Sequence, residues 1–215
     1  MGGVKSPVLG TDSPRAGGAE DPFSALGGAD PAGPIGLDAR GSQAVQRIIA
    51  TVTKDWDPPA PSNAPEIVAG GATLKDAARA LDALSEWGQA GGGLRADPIA
   101  AGTSTNLTVH LHGHLVYRLP RWTGYDRASA AAKAEWDRML GKLRAHEDRH
   151  LAIAIEEADR LASDLVGREI GEIADLVTAA NRRMRARQDQ LDTDTDHGAK
   201  AGVPFGDVDL DTSIQ

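Results

Sequence analysis

Cysteine is absent from this chain of 215 residues. Its absence excludes disulfide bonds and thiolate metal sites, so histidine and carboxylate side chains are the only plausible protein ligands for a metal ion. It does not indicate a compartment, because a reducing cytosol and an exported protein that avoids mispairing both suit a chain without thiols.

Long apolar runs are also lacking. No stretch approaches the eighteen or so residues of a membrane-spanning helix, so we expect no membrane span. The start of the chain, Met1 to Pro7, has no apolar core of the kind a secretory signal requires. We therefore expect a protein that is cytoplasmic as made or exported by a non-classical route. The net charge of −8 disfavours a nucleic-acid or anionic-membrane partner.

The most informative motif is H-E-x-x-H, formed by His146, Glu147 and His150. Histidines at positions i and i+4 of a helix lie on one face, one turn apart, so both rings can reach a single zinc ion. Glu147 is offset from that line and is suited to take a proton from a water molecule. The surrounding segment is rich in helix-forming residues and has apolar residues at helical spacing. The motif predicts a zinc-dependent metallopeptidase.

The sequence outside the motif predicts a small α+β domain with a leader. Residues 1–65 are dominated by Gly, Ala, Pro, Asp and Ser, which favours disorder, although residues 42–54 have the spacing of a short helix. Alternating hydrophobicity and Pro, Gly and N-cap signals indicate the elements that follow. We expect a domain over residues 66–202 with strands at 66–69 and 106–119, helices at 74–88, 128–166 and 168–192, and a polar tail at 203–215.

A catalytic zinc usually has a third protein ligand, and the sequence leaves its identity open. Glu156 stands where the extended form of the motif places a ligand, but Ile153 replaces the glycine that turns the chain back. If the helices at 128–166 and 168–192 pack antiparallel, Asp189, Asp192 and His197 come near the motif. These three are the candidates.

Several motifs occur in a fixed order along the chain: Gly70-Gly71-Ala72-Thr73-Leu74, Leu119-Pro120, Trp122, Trp136, the H-E-x-x-H motif, and Asp192-x-x-Thr195-x-His197-Gly198. With these motifs the chain resembles the bacterial predicted secreted zinc-dependent proteases, a group long catalogued only as a domain of unknown function. The resemblance covers roughly residues 66–202 and implies a zincin fold, a Zn²⁺ cofactor, Glu147 as general base and His197 as third ligand. We expect a short, mostly antiparallel sheet packed on the motif helix, with Asp192 as an alternative ligand or supporting group.

The chain departs from that family at one position close to the site. Members commonly have a tyrosine immediately before the Asp of the second motif, where this chain has Leu191. Tyr125 is the candidate that would replace the phenol as an oxyanion donor. The expected partner is a peptide or protein substrate. The alternative is a non-catalytic, zinc-stabilised binding module, or cargo of a secretion machine addressed by the leader.

A second group of histidines alternates along the strand predicted at 106–119. His110, His112 and His114 point the same way, because side chains at i and i+2 share one face of a strand. A second metal site is conceivable there. We expect an exposed polar face instead, since no carboxylate neighbours the three histidines in the sequence.

Overall fold

The computed structural model describes residues 47–57, 66–99 and 106–214. All described residues belong to one compact unit. Most of the predicted leader, residues 1–46 and 58–65, lies outside the described residues. Among the helices that are described, none is long and apolar enough to cross a membrane.

A mixed three-stranded sheet lies at the centre of the fold. Strand β1 (Ile48–Asp57) pairs in parallel with β4 (Asn106–Arg118), and β3 (Gln89–Ile99) pairs with β4 in antiparallel fashion. The order is β1-β4-β3, so β4 is the central strand. A separate parallel pair joins β2 (Val68–Ala69) to β5 (Arg121–Trp122). The α+β class is confirmed, whereas the expectation of a mostly antiparallel sheet is wrong.

Two segments form strands because each of them pairs with β4. Residues 48–57 form β1 rather than the C-terminal part of a helix, because β-branched side chains such as Ile49 and Val52 suit a strand once β4 is available as a partner. Gly91, Gly92 and Gly93 lie inside β3, a strand that was not expected from the sequence. A Cβ on Gly92 would lie 2.0 Å from the His114 carbonyl oxygen, so close approach to β4 requires glycine there. Pairing across the sheet overrides the local signals.

The helices follow the sequence more closely. Helix α1 (Leu74–Asp82) begins after the predicted cap Thr73, whose side chain forms a capping box with Asp76, but it ends six residues earlier than predicted. Helix α2 (Ala130–Leu165) begins after Ser129, whose side chain accepts a hydrogen bond from the Ala132 amide. Gly167, at a φ of +80°, turns the chain towards α3 (Ile173–Thr195).

Helices α2 and α3 pack antiparallel, as predicted. The contacts run in opposite order along the two helices: Glu157 of α2 meets Arg183 of α3, while His150 meets Asp192. One buried face of the sheet covers this pair, so that β3, α2 and α3 share a core. Its main members are Ile49, Leu94, Val109, Leu111, Leu115, Ile153, Ala154, Ala158, Leu161, Ala180, Met184 and Leu191.

The segment predicted as a polar tail is part of the folded unit. Val208 is buried in a second core with Trp136. The Arg138 guanidinium bonds to the Asp209 carboxylate at 2.8 Å, so the segment is also tied to α2 by charge. Residues 203–214 therefore pack along α2 and reach the H-E-x-x-H motif.

Candidate metal centre

Helix α2 presents both motif histidines to the interior. His146 and His150 lie one turn apart on its buried face, with 4% and 7% of their surface exposed. Their Nε2 atoms are 3.1 Å apart. The i, i+4 spacing thus aims two imidazole nitrogens at one point, as the motif predicts.

Asp192 of α3 supplies a third donor at that point. Its Oδ1 lies 3.2 Å from His146 Nε2 and 3.0 Å from His150 Nε2. In a tetrahedral zinc site with metal–ligand bonds of about 2.0–2.1 Å, neighbouring ligand atoms are about 3.3 Å apart. The three donor atoms therefore form a triangle of nearly the size that zinc requires, and their nitrogen and oxygen chemistry suits the ion.

The other ring nitrogen of His146 is oriented by the C-terminal segment. His146 Nδ1 lies 3.1 Å from the Phe205 carbonyl oxygen. A carbonyl only accepts hydrogen bonds, so Nδ1 carries a proton, and loss of the Nε2 proton would leave a lone pair that points at the candidate centre. The Nδ1 atom of His150 is buried and has no hydrogen-bond partner among the described residues.

The ionisable groups at the centre shift one another's pKa values. Burial by itself would raise the pKa of Asp192, but hydrogen bonds from His146 and His150 outweigh it and hold the pKa well below its usual range. Burial by itself would lower the pKa of His146, yet the Asp192 and Glu147 carboxylates outweigh it and raise that pKa. An anionic oxygen thus lies between two imidazoles, which is an arrangement that a divalent cation would stabilise.

Glu147 is not among the three converging donors, and its carboxylate is buried between α2 and the start of β3. Only 5% of its surface is exposed, and burial raises the pKa of its carboxyl to about 7. The Ala90 backbone N–H donates to it. A Cβ on Gly88 would lie 2.5 Å from Glu147 Oε1, so glycine at this position makes room for the carboxylate.

The second sequence motif builds the end of α3. The Thr195 hydroxyl donates to the Leu191 carbonyl and accepts from the Gly198 amide, at 2.7 and 3.1 Å, and thereby closes the turn after the helix. Gly198 has a φ of +87°, and a Cβ there would lie 2.9 Å from Val208. The motif thus combines a candidate ligand with the turn that packs beside His146.

His197 lies next to this centre but outside the donor triangle. Its Nδ1 is 4.0 Å from Asp192 Oδ1, and 80% of its side chain is exposed. His197 also has a positive φ, of 52°. Among the described residues, the group of donors that converge here consists of His146, His150 and Asp192. The structure therefore brings Asp192, rather than His197, against the two motif histidines.

The predicted oxyanion donor Tyr125 lies elsewhere. Its hydroxyl donates to Asp137, which precedes His146 by nine residues, or about 13 Å along the helix. The phenol that contacts α2 at the motif is Tyr117 of β4, which donates to Asp148 at 2.9 Å. Burial and this hydrogen bond raise the pKa of Tyr117 to about 12. Leu191, in place of the family tyrosine, is a buried core residue.

Sequence reasoning missed two contributors to this region. The Gln188 amide nitrogen is buried with no hydrogen-bond partner among the described residues, and a Cβ on Gly91 of β3 would lie 3.7 Å from it. Its position one helical turn before Asp192 is a signal that could have found it. The Phe205 carbonyl is the other contributor, and a backbone atom leaves no such signal.

Comparison with known proteins places the chain in a family. The model of the family described as "Bacterial protein of unknown function (DUF922)" matches residues 64–198. The chain belongs to this family. The matched range contains the H-E-x-x-H motif and Asp192, and it begins after β1 has ended. Neither a curated protein nor a solved structure gives a significant match.

Proposed function

We propose that this protein is a zinc-dependent metallopeptidase with a zincin-like arrangement of a sheet over the motif helix. The observation that carries the proposal is the convergence of His146, His150 and Asp192, with the Glu147 carboxylate buried beside them. Zinc at this position would lower the pKa of a water molecule and polarise the carbonyl of the scissile bond. The residues of the chain then have separate tasks.

Glu147 is the proposed general base. It is not one of the three converging donors, and it follows directly after His146, so it is free to take and return a proton. The Ala90 amide and the space at Gly88 hold the carboxylate in one position. Fixed placement of a base beside a reacting water is what general-base catalysis requires.

Strand β3 is the proposed guide for an extended substrate. This strand was not expected from the sequence. It lies at the edge of the sheet, whereas β4, which carries the histidine stripe (His110, His112 and His114), is the central strand. The outward N–H of Ala90 binds Glu147, and the outward N–H and C=O of Leu94 bind the Asn181 side chain at 2.9 Å. Gly92 lies between them with the same orientation, because backbone groups alternate along a strand. Its N–H and C=O are suited to pair with a peptide.

Gln188 is the proposed donor that takes over from the family tyrosine. Its buried amide nitrogen lies against Gly91 on the same edge and has no partner among the described residues. A buried donor without a partner carries a free-energy cost that a substrate carbonyl would relieve. We therefore propose that Gln188, rather than the more distant Tyr125, makes this polar contact with the substrate.

The test is cleavage of a peptide library by the full chain, with and without a chelator. We expect cleavage that the chelator abolishes and that Zn²⁺ restores. Glu147→Gln should lower the cleavage rate by at least about 1,000-fold while zinc stays bound at the centre on α2. The matched control is Asp159→Asn, the same kind of change at an exposed position of α2, which should leave the rate unchanged.

The results also separate catalysis from the alternative function. If zinc binds and stabilises the fold but neither wild type nor Asp159→Asn cleaves any peptide, the proposed peptidase is refuted in favour of a zinc-stabilised binding module. If Glu147→Gln cleaves as fast as wild type, the assigned base is wrong.

A further inference from the structure

The histidine stripe on β4 acquires a carboxylate partner only in the folded sheet. We propose that His110, His112 and Asp55 form a second site for a first-row transition-metal ion such as Zn²⁺, distinct from the centre on α2. Nitrogen or oxygen donor atoms of these three side chains lie within 4.8 Å of one another. Two imidazoles and a carboxylate favour zinc, copper or nickel over magnesium and calcium.

The two imidazoles are brought together by the strand itself. His110 and His112 alternate on one face of β4, and their ring centroids are 4.0 Å apart. Their side chains are 30% and 28% exposed, so they are partly shielded but still reachable by a hydrated ion. Solvent can supply the coordination positions that the protein leaves open.

The carboxylate comes from the neighbouring strand. The parallel register places Asp55 of β1 directly opposite His112, on the same face of the sheet. Asp55 Oδ2 lies 3.9 Å from His110 Nε2 across the diagonal. Asp55 is about 55 residues from the histidines in the chain, which explains why the sequence shows no carboxylate beside them.

Of the two carboxylates near the histidines, that of Asp55 is better suited to bind a metal ion than that of Asp97. Asp97 of β3 lies 3.7 Å from His112 Nε2, but its carboxylate already pairs with the Arg95 guanidinium at 3.0 Å. A carboxylate neutralised by arginine is a poorer metal ligand than the Asp55 carboxylate, which contacts His110.

This site is separate from the centre on α2. Val109 and Leu111, which alternate with the histidines, are buried against α2 residues such as Ala154. His110 and His112 therefore lie on the sheet face turned away from α2. Asp55 also precedes residues 64–198, the range of the family match, so the site uses a strand outside that range. An ion there would link β1 to β4 and stabilise the sheet by binding only the folded form.

The test compares zinc stoichiometry in the metal-free full chain and its variants by calorimetric titration. The double variant H110Q/H112Q should bind one equivalent fewer than wild type, whatever the centre on α2 binds. Asp55→Asn should weaken zinc binding at this site by at least about 10-fold. The matched control is His114→Gln, which removes an imidazole from the same strand but from outside the donor group, and it should retain the full stoichiometry.

Several outcomes would overturn the assignment. The site does not exist if H110Q/H112Q binds as many equivalents as wild type. The ligand set is wrong if His114→Gln also loses an equivalent, or if Asp55→Asn binds zinc as tightly as wild type. Amide hydrogen exchange shows whether the variants are folded and where zinc acts. Zinc should slow the exchange of β1 amides in wild type and leave it unchanged in H110Q/H112Q. Equal slowing in both would refute the link between β1 and β4.

Discussion

Asp192 adds an anionic oxygen donor to the two imidazole nitrogens of the candidate centre. Its Oδ1 lies within 3.2 Å of the Nε2 atoms of His146 and His150, whereas the side chain of His197 is mostly exposed to solvent. The two residues belong to the same motif, five positions apart. Their different burial decides which one is the proposed ligand and which one is a neighbour.

Zinc affinity should distinguish these two residues. Asp192→Ala should weaken binding by more than about 100-fold, because a ligand is lost, and His197→Gln by less than about 10-fold. Competition with a chromophoric chelator measures both. Asp189→Asn, an exposed carboxylate on the same helix, is the control and should have no effect. A larger loss in His197→Gln than in Asp192→Ala would restore His197 as the third ligand.

Gly88 makes a second prediction at the residue scale. Gly88→Ala should lower the rate of any cleavage by at least about 10-fold with zinc still bound, since the new methyl group displaces Glu147 by contact with Oε1. Steady-state kinetics with metal analysis measures the effect. Gly141→Ala is the control: no atom lies within 4 Å of its added Cβ, and the helix should gain about 0.5–1 kcal/mol in stability. Equal activity of Gly88→Ala and wild type would contradict the role given to this pocket.

At the scale of elements, the contact between α2 and α3 sets the position of Asp192. Glu157 of α2 is buried and accepts hydrogen bonds from both Arg187 and Arg183 of α3, at 2.9 and 3.1 Å. Burial by itself would raise the pKa of Glu157, but the two arginines outweigh it and lower that pKa. The pairing fixes the register of the helices two turns from the candidate centre.

Glu157→Gln should therefore lower the free energy of unfolding by about 2 kcal/mol at neutral pH. A lowered pKa in the folded state contributes stability above the unfolded value of about 4.3, and that stability is lost as the pH falls through the folded value. Wild type should lose stability more steeply than the variant below about pH 4.3 in urea titrations. Asp159→Asn, in an exposed pair with Lys54, should change stability by less than about 1 kcal/mol. If the free energies of unfolding of wild type and Glu157→Gln fall equally as the pH is lowered, the ion pair contributes nothing to stability.

At the scale of the whole molecule, the C-terminal segment joins the core to the site. The Phe205 carbonyl orients His146, while Val208 fills the second core and Asp209 holds Arg138 of α2. Composition alone suggested a solvated tail here. The segment folds because its few apolar residues, such as Val208, pack in a core that they share with α2.

A chain that ends at Gly202 should bind zinc about 10-fold more weakly, and its free energy of unfolding should be about 2–4 kcal/mol lower. Metal titration and urea unfolding of the truncated and full chains test this. Phe205→Ala keeps the backbone carbonyl and removes a partly exposed side chain, so it should retain zinc affinity. If truncation leaves affinity unchanged, the hydrogen bond to His146 has no part in metal binding.

The amino-acid sequence by itself determined the features that depend on local periodicity. It predicted the span of α2 to within two residues, the strand at 106–119 to within one residue, the cap of α1 and the two histidines on one helical face. These follow from the 3.6-residue and two-residue repeats and from capping chemistry, which act over a few positions.

Only the tertiary structure decided how distant segments meet. Pairing with β4 made residues 48–57 a strand, and the packing of α3 on α2 brought Asp192, one of the three candidates, against His146 and His150. The same pairing placed Asp55 beside His110 and His112. The physical reason is that donor atoms from separate segments converge only when the packing angle and register of those segments are set. That choice depends on the whole core rather than on any short stretch of sequence.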